Sequence, residues 1–150
     1  MKKRYITQEE INSACLDIVR QMYADNWRPD YIVGITRGGL WPAVMISHYT
    51  GIKMHTLDVR LRDALGTPPE SNCWMAEDAL GYNAPPKNGI TGARWDIGLR
   101  DKILIVDDIN DTGATFNWIK QDWQSSCLPD EDSWNTVWNR NVRFAVMTIN

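Results

Sequence analysis

The stretch KILIVDDINDTGAT, residues 102–115, decides how this chain is read. Four apolar residues, Ile103 to Val106, run directly into Asp107 and Asp108. A third aspartate, Asp111, leads into Thr112-Gly113-Ala114-Thr115. An unbroken apolar run bounded by polar residues reads as a strand buried on both faces, as in parallel sheets. Adjacent carboxylates repel, and desolvating them is costly unless a partner compensates them. The expected compensation is a group from outside the chain. A helix starting near residue 113 would set its amide groups and positive dipole end at Asp111 to Thr115. Gly113 admits close backbone approach, and the hydroxyls of Thr112 and Thr115 add donors, so the segment can cradle a phosphate. Carboxylates that accept from sugar hydroxyls or hold Mg²⁺, set beside such a cradle, describe a ribose 5-phosphate site.

Outward from this stretch, strands and helices alternate. Thr7-Gln8-Glu9-Glu10 matches a capping box, and Ile11, Ala14, Cys15, Ile18 and Met22 follow at helical spacing, which predicts a helix over 8–24. YIVGIT, 31–36, reads as a buried strand. GGLWPAVMISHYTG reads as a turn and a helix over 39–50, with Pro42 in its first turn and Gly51 as its stop. Further strands are expected at 52–59, 102–107 and 142–149, with a helix over 113–124 and a polar connection, SSCLPDEDSWNTVWNRN, over 125–141. The pattern predicts an α/β fold: a central parallel sheet flanked by helices, in a single domain spanning 1–150. Segment 60–100 holds Pro68-Pro69, Pro85-Pro86 and several glycines with no sustained period; a loop of that length is often a functional lid.

In open α/β sheets ligands bind beyond the carboxyl ends of the strands. Two strands end suggestively, one in Asp107-Asp108 and the other in Thr36-Arg37-Gly38-Gly39. Arg37 followed by two glycines, Gly38 and Gly39, offers a guanidinium fork and exposed backbone N–H groups suited to a second phosphate. Either loop alone also fits a plainer reading, a solvated strand end or an N-cap and turn. The G-x-x-x-x-G-K-[ST] phosphate loop is absent.

Composition narrows the class. A net charge of -3 and a pI near 5.3 argue against a general nucleic-acid binder. No apolar run approaches the roughly 20 residues of a membrane span. MKKRYITQEE has the charges of a signal peptide but no apolar core after them, so a cytoplasmic protein is expected. Cys15, Cys73 and Cys127 are too few and too scattered for a disulfide framework or a zinc site, and Cys15 falls on an apolar helix face. Trp74, Trp95, Trp123, Trp134 and Trp138 stand in polar stretches, which leaves open whether they pack inside or cover a partner surface or pocket. His48 and His55 read as structural, and no Ser-His-Asp or Cys-His set is evident.

ILIVDDINDTGAT resembles the phosphoribosyl-pyrophosphate signature of type I phosphoribosyltransferases: an apolar strand, two acidic residues, two variable residues, then D-T-G-x-T. YIVGITRGGLWPAVMISHYTG resembles the same family's pyrophosphate loop and following helix, nearest to its bacterial xanthine-guanine and hypoxanthine members. Matching segments cover roughly residues 5–59 and 100–120. The resemblance implies Mg²⁺-dependent transfer of a phosphoribosyl group from phosphoribosyl pyrophosphate to a purine-type base, in nucleotide salvage, with release of pyrophosphate. It implies that Asp107 and Asp108 bind the ribose hydroxyls, with Asp108 ahead of Asp107 as the contact for Mg²⁺. Asp111 would be the catalytic group near the purine N7. Asp111, Thr112, Gly113, Ala114 and Thr115 would hold the 5-phosphate, and Arg37 and Gly38 the pyrophosphate.

Segment 60–100 stands where the family has a mobile lid, with Arg60, Arg62, Lys87 and Arg94 as candidate phosphate contacts. In purine members the strand matching 142–149 leads into a lysine, a base-stacking aromatic and a further strand. Here the sequence stops at Asn150, so a reduced or absent C-terminal hood is expected. Two other readings stay open: a regulator that binds phosphoribosyl pyrophosphate or a nucleotide without turnover, and a C-terminally truncated inactive chain. Family members are commonly dimers or tetramers, which implies a homo-oligomer.

Overall fold

The computed structural model describes residues 7–36, 39–60, 70–71, 80, 100–110, 113–126 and 134–149. Its first helix, α1 (Gln8–Ala24), begins where the capping box places it: the Thr7 side chain accepts from the Glu10 amide at 3.1 Å. It ends in a Schellman-type cap. The Trp27 amide reaches back to Met22 O and the Asn26 amide to Tyr23 O, with Asn26 in the left-handed region at φ 53°. Met22 and Trp27 are both buried against the same core, the apolar contact that accompanies this motif.

Strand β1 (Tyr31–Thr36), helix α2 (Leu40–Thr50), strand β2 (Met54–Arg60), the short strand β3 (Glu70–Ser71) and strand β4 (Ile103–Asn110) follow. Helix α3 (Ala114–Ser126), the helical segment α4 (Trp134–Arg140) and strand β5 (Val142–Ile149) complete the order. The sheet runs β3-β2-β1-β4-β5. Its four longer strands are mutually parallel, and β3 pairs antiparallel with β2.

Both faces of the sheet are covered, so its strands carry apolar residues at odd and even positions alike. Val33, Ile35, Ile103 and Ile105 face one core together with Ile119, Trp123, Trp134 and Val137 from α3 and α4. Ile32, Leu104 and Val106 face the other, with Cys15, Val19 and Met22 from α1 and Ala43 and Ile46 from α2. Cys15 is fully buried as expected; its thiol lies 3.7 Å from Pro42 O, and burial pushes it up to about 11. The ends of α1 and β5 are tied by Arg143, which pairs with Asp25 at 2.9 Å and stacks over Trp27, while the Trp27 indole donates to Arg140 O.

The structure departs from the sequence reading at three places. Strand β2 starts at Met54 rather than 52. Strand β4 continues to Asn110, past the aspartates. The polar connection contains the turn of α4, because Trp134 and Val137, one helical turn apart, are both buried. That turn breaks at Trp138 and Asn139, the latter at φ 79°. Trp123 and Trp134, at 0% and 2% exposure, are core residues and cover no surface. Trp138 stacks beside them, its ring 5.1 Å from that of Trp134. Trp74 and Trp95 lie outside the described residues. Trp41 is the exposed tryptophan among those described. Trp123→Ala is expected to cost about 3–5 kcal/mol in denaturant unfolding, whereas Trp41→Ala stays within about 0.5 kcal/mol.

Candidate functional site

The site grows from a fork in the sheet. β1 pairs with β4 from Tyr31 opposite Ile103 to Gly34 opposite Val106, and no further. β5 stays paired with β4 as far as Asn110 opposite Ile149. Asp107 and Asp108 are therefore the first two residues past the point where β1 leaves. They lie within β4, which runs on to Asn110 rather than ending at the pair as the sequence reading had it, and one side of the strand has opened beside them.

The turn that carries β1 away sits directly on that opening. The Gly39 amide donates to Ile35 O at 2.8 Å, closing the turn, and Gly39 O accepts from Ala43 to start α2. A Cβ on Gly39 would lie 2.1 Å from Val106 O, and one on Gly34 would lie 2.8 Å from the Ala43 Cβ and 2.9 Å from Gly39 O. The sequence reading does not single out Gly34; it takes Gly39 with Gly38 as offering an exposed N–H to a phosphate, whereas the Gly39 amide donates to Ile35 O. The signal was present in YIVGIT, because a glycine inside a strand pattern marks close backbone approach.

The two carboxylates are half-buried, and the Asp108 amide donates to Asp107 Oδ1 at 2.8 Å. Burial raises the Asp107 pKa from 3.8 to about 6. The neighbouring Asp108 carboxyl adds to the rise, which its backbone amide only partly offsets. Among the described residues no ion pair to either carboxylate is formed. Among the described residues no group of three or more His, Cys, Asp or Glu side chains converges on a metal position.

Immediately after β4, Gly113 adopts φ 75°, and its carbonyl accepts from Asn117 at 2.9 Å as the first bond of α3. Ala114 and Thr115 form the first turn, at the positive end of the helix dipole. The structure therefore brings together Asp107, Asp108 and Gly39 at the fork, with Gly113, Ala114 and Thr115 at the same end of β4. Arg37, Gly38, Asp111 and Thr112 lie outside the described residues, as do Arg62, Lys87 and Arg94 from the expected lid. Arg60 ends β2. His55 faces Tyr31 edge-on at 5.4 Å within the sheet, in keeping with a structural role.

Comparison with known proteins agrees with this geometry. The family model described as "Phosphoribosyl transferase domain" matches residues 4–121, which include α1, the β1–α2 turn, β4 and most of α3. The chain belongs to that family. It is 25% identical over 127 residues to xanthine phosphoribosyltransferase 1 of Saccharomyces cerevisiae; the match covers 78% of this chain and 58% of that protein. This chain thus spans under two thirds of that relative's length. The fold is similar to that of a purine phosphoribosyltransferase from Pyrococcus horikoshii Ot3, with TM-score 0.62 and 22% identity over 99% of this chain and 78% of that one. It is also similar to a hypothetical protein from Neisseria gonorrhoeae with bound ppGpp, with TM-score 0.62 and 13% identity over 100% of this chain and 85% of that one. Among the described residues no helix is long and apolar enough to cross a membrane.

The raised Asp107 pKa has a consequence for stability. The folded state binds this proton more tightly than the unfolded chain does. The resulting stabilisation is fully present below about pH 4 and is lost as pH rises through about 6. Asp107→Asn should remove that loss. In urea unfolding at a series of pH values, the variant should gain on the wild type between pH 4 and 7.

Proposed function

We propose that the protein transfers a phosphoribosyl group from phosphoribosyl pyrophosphate to a purine-type base, releasing pyrophosphate. The observation that carries this reading is the half-buried acid pair at the fork, unpaired among the described residues, with a turn of β1 on one side and the N-terminus of α3 on the other. Each neighbour suits a different part of one substrate. Asp107 and Asp108 accept from the ribose 2- and 3-hydroxyls. Gly113, Ala114 and Thr115, with Asp111 and Thr112, receive the 5-phosphate at the helix N-terminus. Arg37 and Gly38 hold the pyrophosphate from the β1 turn.

The residues at the fork fit a magnesium ion. Mg²⁺ is usually held by one or two carboxylates with the remaining positions filled by water and substrate oxygens, and two adjacent half-buried carboxylates supply such a donor set here. Asp108 and Asp107 would hold it, and its charge would offset that of the departing pyrophosphate. At the ribose C1 the bond to the pyrophosphate oxygen breaks, and that oxygen leaves with the electron pair as a bond to a base nitrogen forms. The transition state is oxocarbenium-like, so the protein contributes positioning and fixed charge and needs no covalent nucleophile. Asp111 accepts or stabilises the proton at the purine N7. From the family resemblance we infer a role in purine salvage, in the cytoplasm, as a homodimer or tetramer, with segment 60–100 as the lid over the pyrophosphate.

A second reading, a binder of phosphoribosyl pyrophosphate or a nucleotide without turnover, draws support from the ppGpp-bound Neisseria protein, whose fold matches the whole of this chain. One assay separates the two. Phosphoribosyl pyrophosphate and Mg²⁺ are presented with xanthine, guanine, hypoxanthine and adenine, and pyrophosphate release is followed. Release with at least one base is expected; calorimetric binding with no release from any base supports the second reading. Replacing Asp107 and Asp108 together by Asn removes two charge-assisted contacts and should weaken Mg²⁺-dependent binding of phosphoribosyl pyrophosphate by about 10²-fold or more while the chain stays folded. Retained affinity would remove the acid pair from the site.

A further inference from the structure

Gly39 stands at a position whose backbone does not call for glycine. Its φ of -78° and ψ of -8° are ordinary right-handed helical values, open to any residue. What excludes a side chain is space alone. The missing Cβ would lie 2.1 Å from Val106 O, 2.8 Å from Ile35 N and 2.9 Å from Ile35 O. Three segments therefore meet at one Cα: the end of β1, the first residue of the α2 turn, and the last β4 residue still paired with β1. Val106 is also the residue immediately before the acid pair. Gly34 supports the contact from below, since a side chain there would press on Gly39 O and on the Cα of Leu40, 3.3 Å away.

We propose that Gly39 is a positioning residue: by lying bare against Val106 O, it fixes the spacing between the β1 turn and the Asp107-Asp108 pair. This rests on the functional reading above, in which the turn holds pyrophosphate and the acid pair holds ribose. A ligand that spans both halves needs that spacing. A ligand that occupies one half does not. An ordinary carbon–oxygen contact of about 3.3 Å cannot be reached from the Gly39 position unless turn and strand separate by roughly 1 Å, and a misplacement of that size can cost about 10²-fold in rate.

The test compares spanning with single-half ligands on the full chain. Affinities for phosphoribosyl pyrophosphate, ribose 5-phosphate and pyrophosphate, all without Mg²⁺ so that no ion ties pyrophosphate to the acid pair, are measured by calorimetry for the wild type, Gly39→Ala and Gly34→Ala, with Ile46→Val as a control that loosens α2 from within the core. Gly39→Ala is expected to bind phosphoribosyl pyrophosphate about 10²-fold more weakly and each half-ligand within about threefold of wild type. Gly34→Ala, which meets softer contacts, should show the same split to a smaller degree, and Ile46→Val should show none.

A uniform loss over all three ligands, or an unchanged ratio, overturns the proposal, because a merely structural glycine lowers stability without separating the ligands. Should neither glycine variant fold, wild-type ¹⁵N spectra decide. Pyrophosphate alone should shift the Asp107 and Asp108 amides if turn and strand are in fixed contact, and silence there overturns it. A wild type that binds none of the three ligands overturns this proposal together with the functional reading. A wild type that binds all three, with variants showing no split, overturns this one alone.

Discussion

The bare contact between Gly39 and the Val106 carbonyl is the constraint on which the site depends. Parallel strands need crossover connections, and a crossover helix normally stands off from the sheet by the width of its side chains. Here two glycines, Gly34 and Gly39, let the first turn of α2 lie directly on the backbones of β1 and β4. β1 can then end early while β4 continues. The two buried cores hold the strands in register on either side, so the opening is a fixed feature of the sheet.

The acid pair itself works against the fold. Asp107 is half-buried beside another carboxylate, and its ionised form is disfavoured there. A chain selected for stability alone has no reason to keep both. Strain and unmatched charge persist at functional sites because the surrounding structure over-determines them. In this molecule that support is visible in the fully buried run Ile103 to Val106 just before the pair. A bound cation or sugar diol would relieve the mismatch, so ligand binding and folding stability are coupled at the same two residues.

Much of this was legible in the sequence. The helix over 8–24, the strands 31–36 and 142–149 and the parallel α/β class follow from periodicity and caps that the structure reproduces. The acid pair stood out because two charges directly follow an apolar run, a pattern that a solvated strand end also fits. The fork could not be read: where β1 leaves β4 depends on packing between residues far apart in the chain, and strand propensity alone does not reveal it. The extension of β4 to Asn110 was hidden because aspartate and asparagine are poor strand formers, and pairing with β5 overrode that preference. Trp134 and Val137 were hidden by their polar neighbours; two buried residues one turn apart are too short a pattern to stand out.

The order β2-β1-β4-β5 has a kinetic meaning as well. The central pairing joins Tyr31 to Ile103 and Gly34 to Val106, so the most interior contact of the sheet is also among the most distant along the chain. Closing a longer loop adds only about 0.6 kcal/mol per doubling of its length, so insertions between β2 and β4 leave the equilibrium nearly untouched. Contacts of such long sequence separation slow the search for the native state. Because the fork exists only once β1 and β4 are joined, the acid pair gains its setting only with that pairing. During synthesis the fork would be absent until the segment carrying β4 had emerged, however early α1, β1 and α2 had formed.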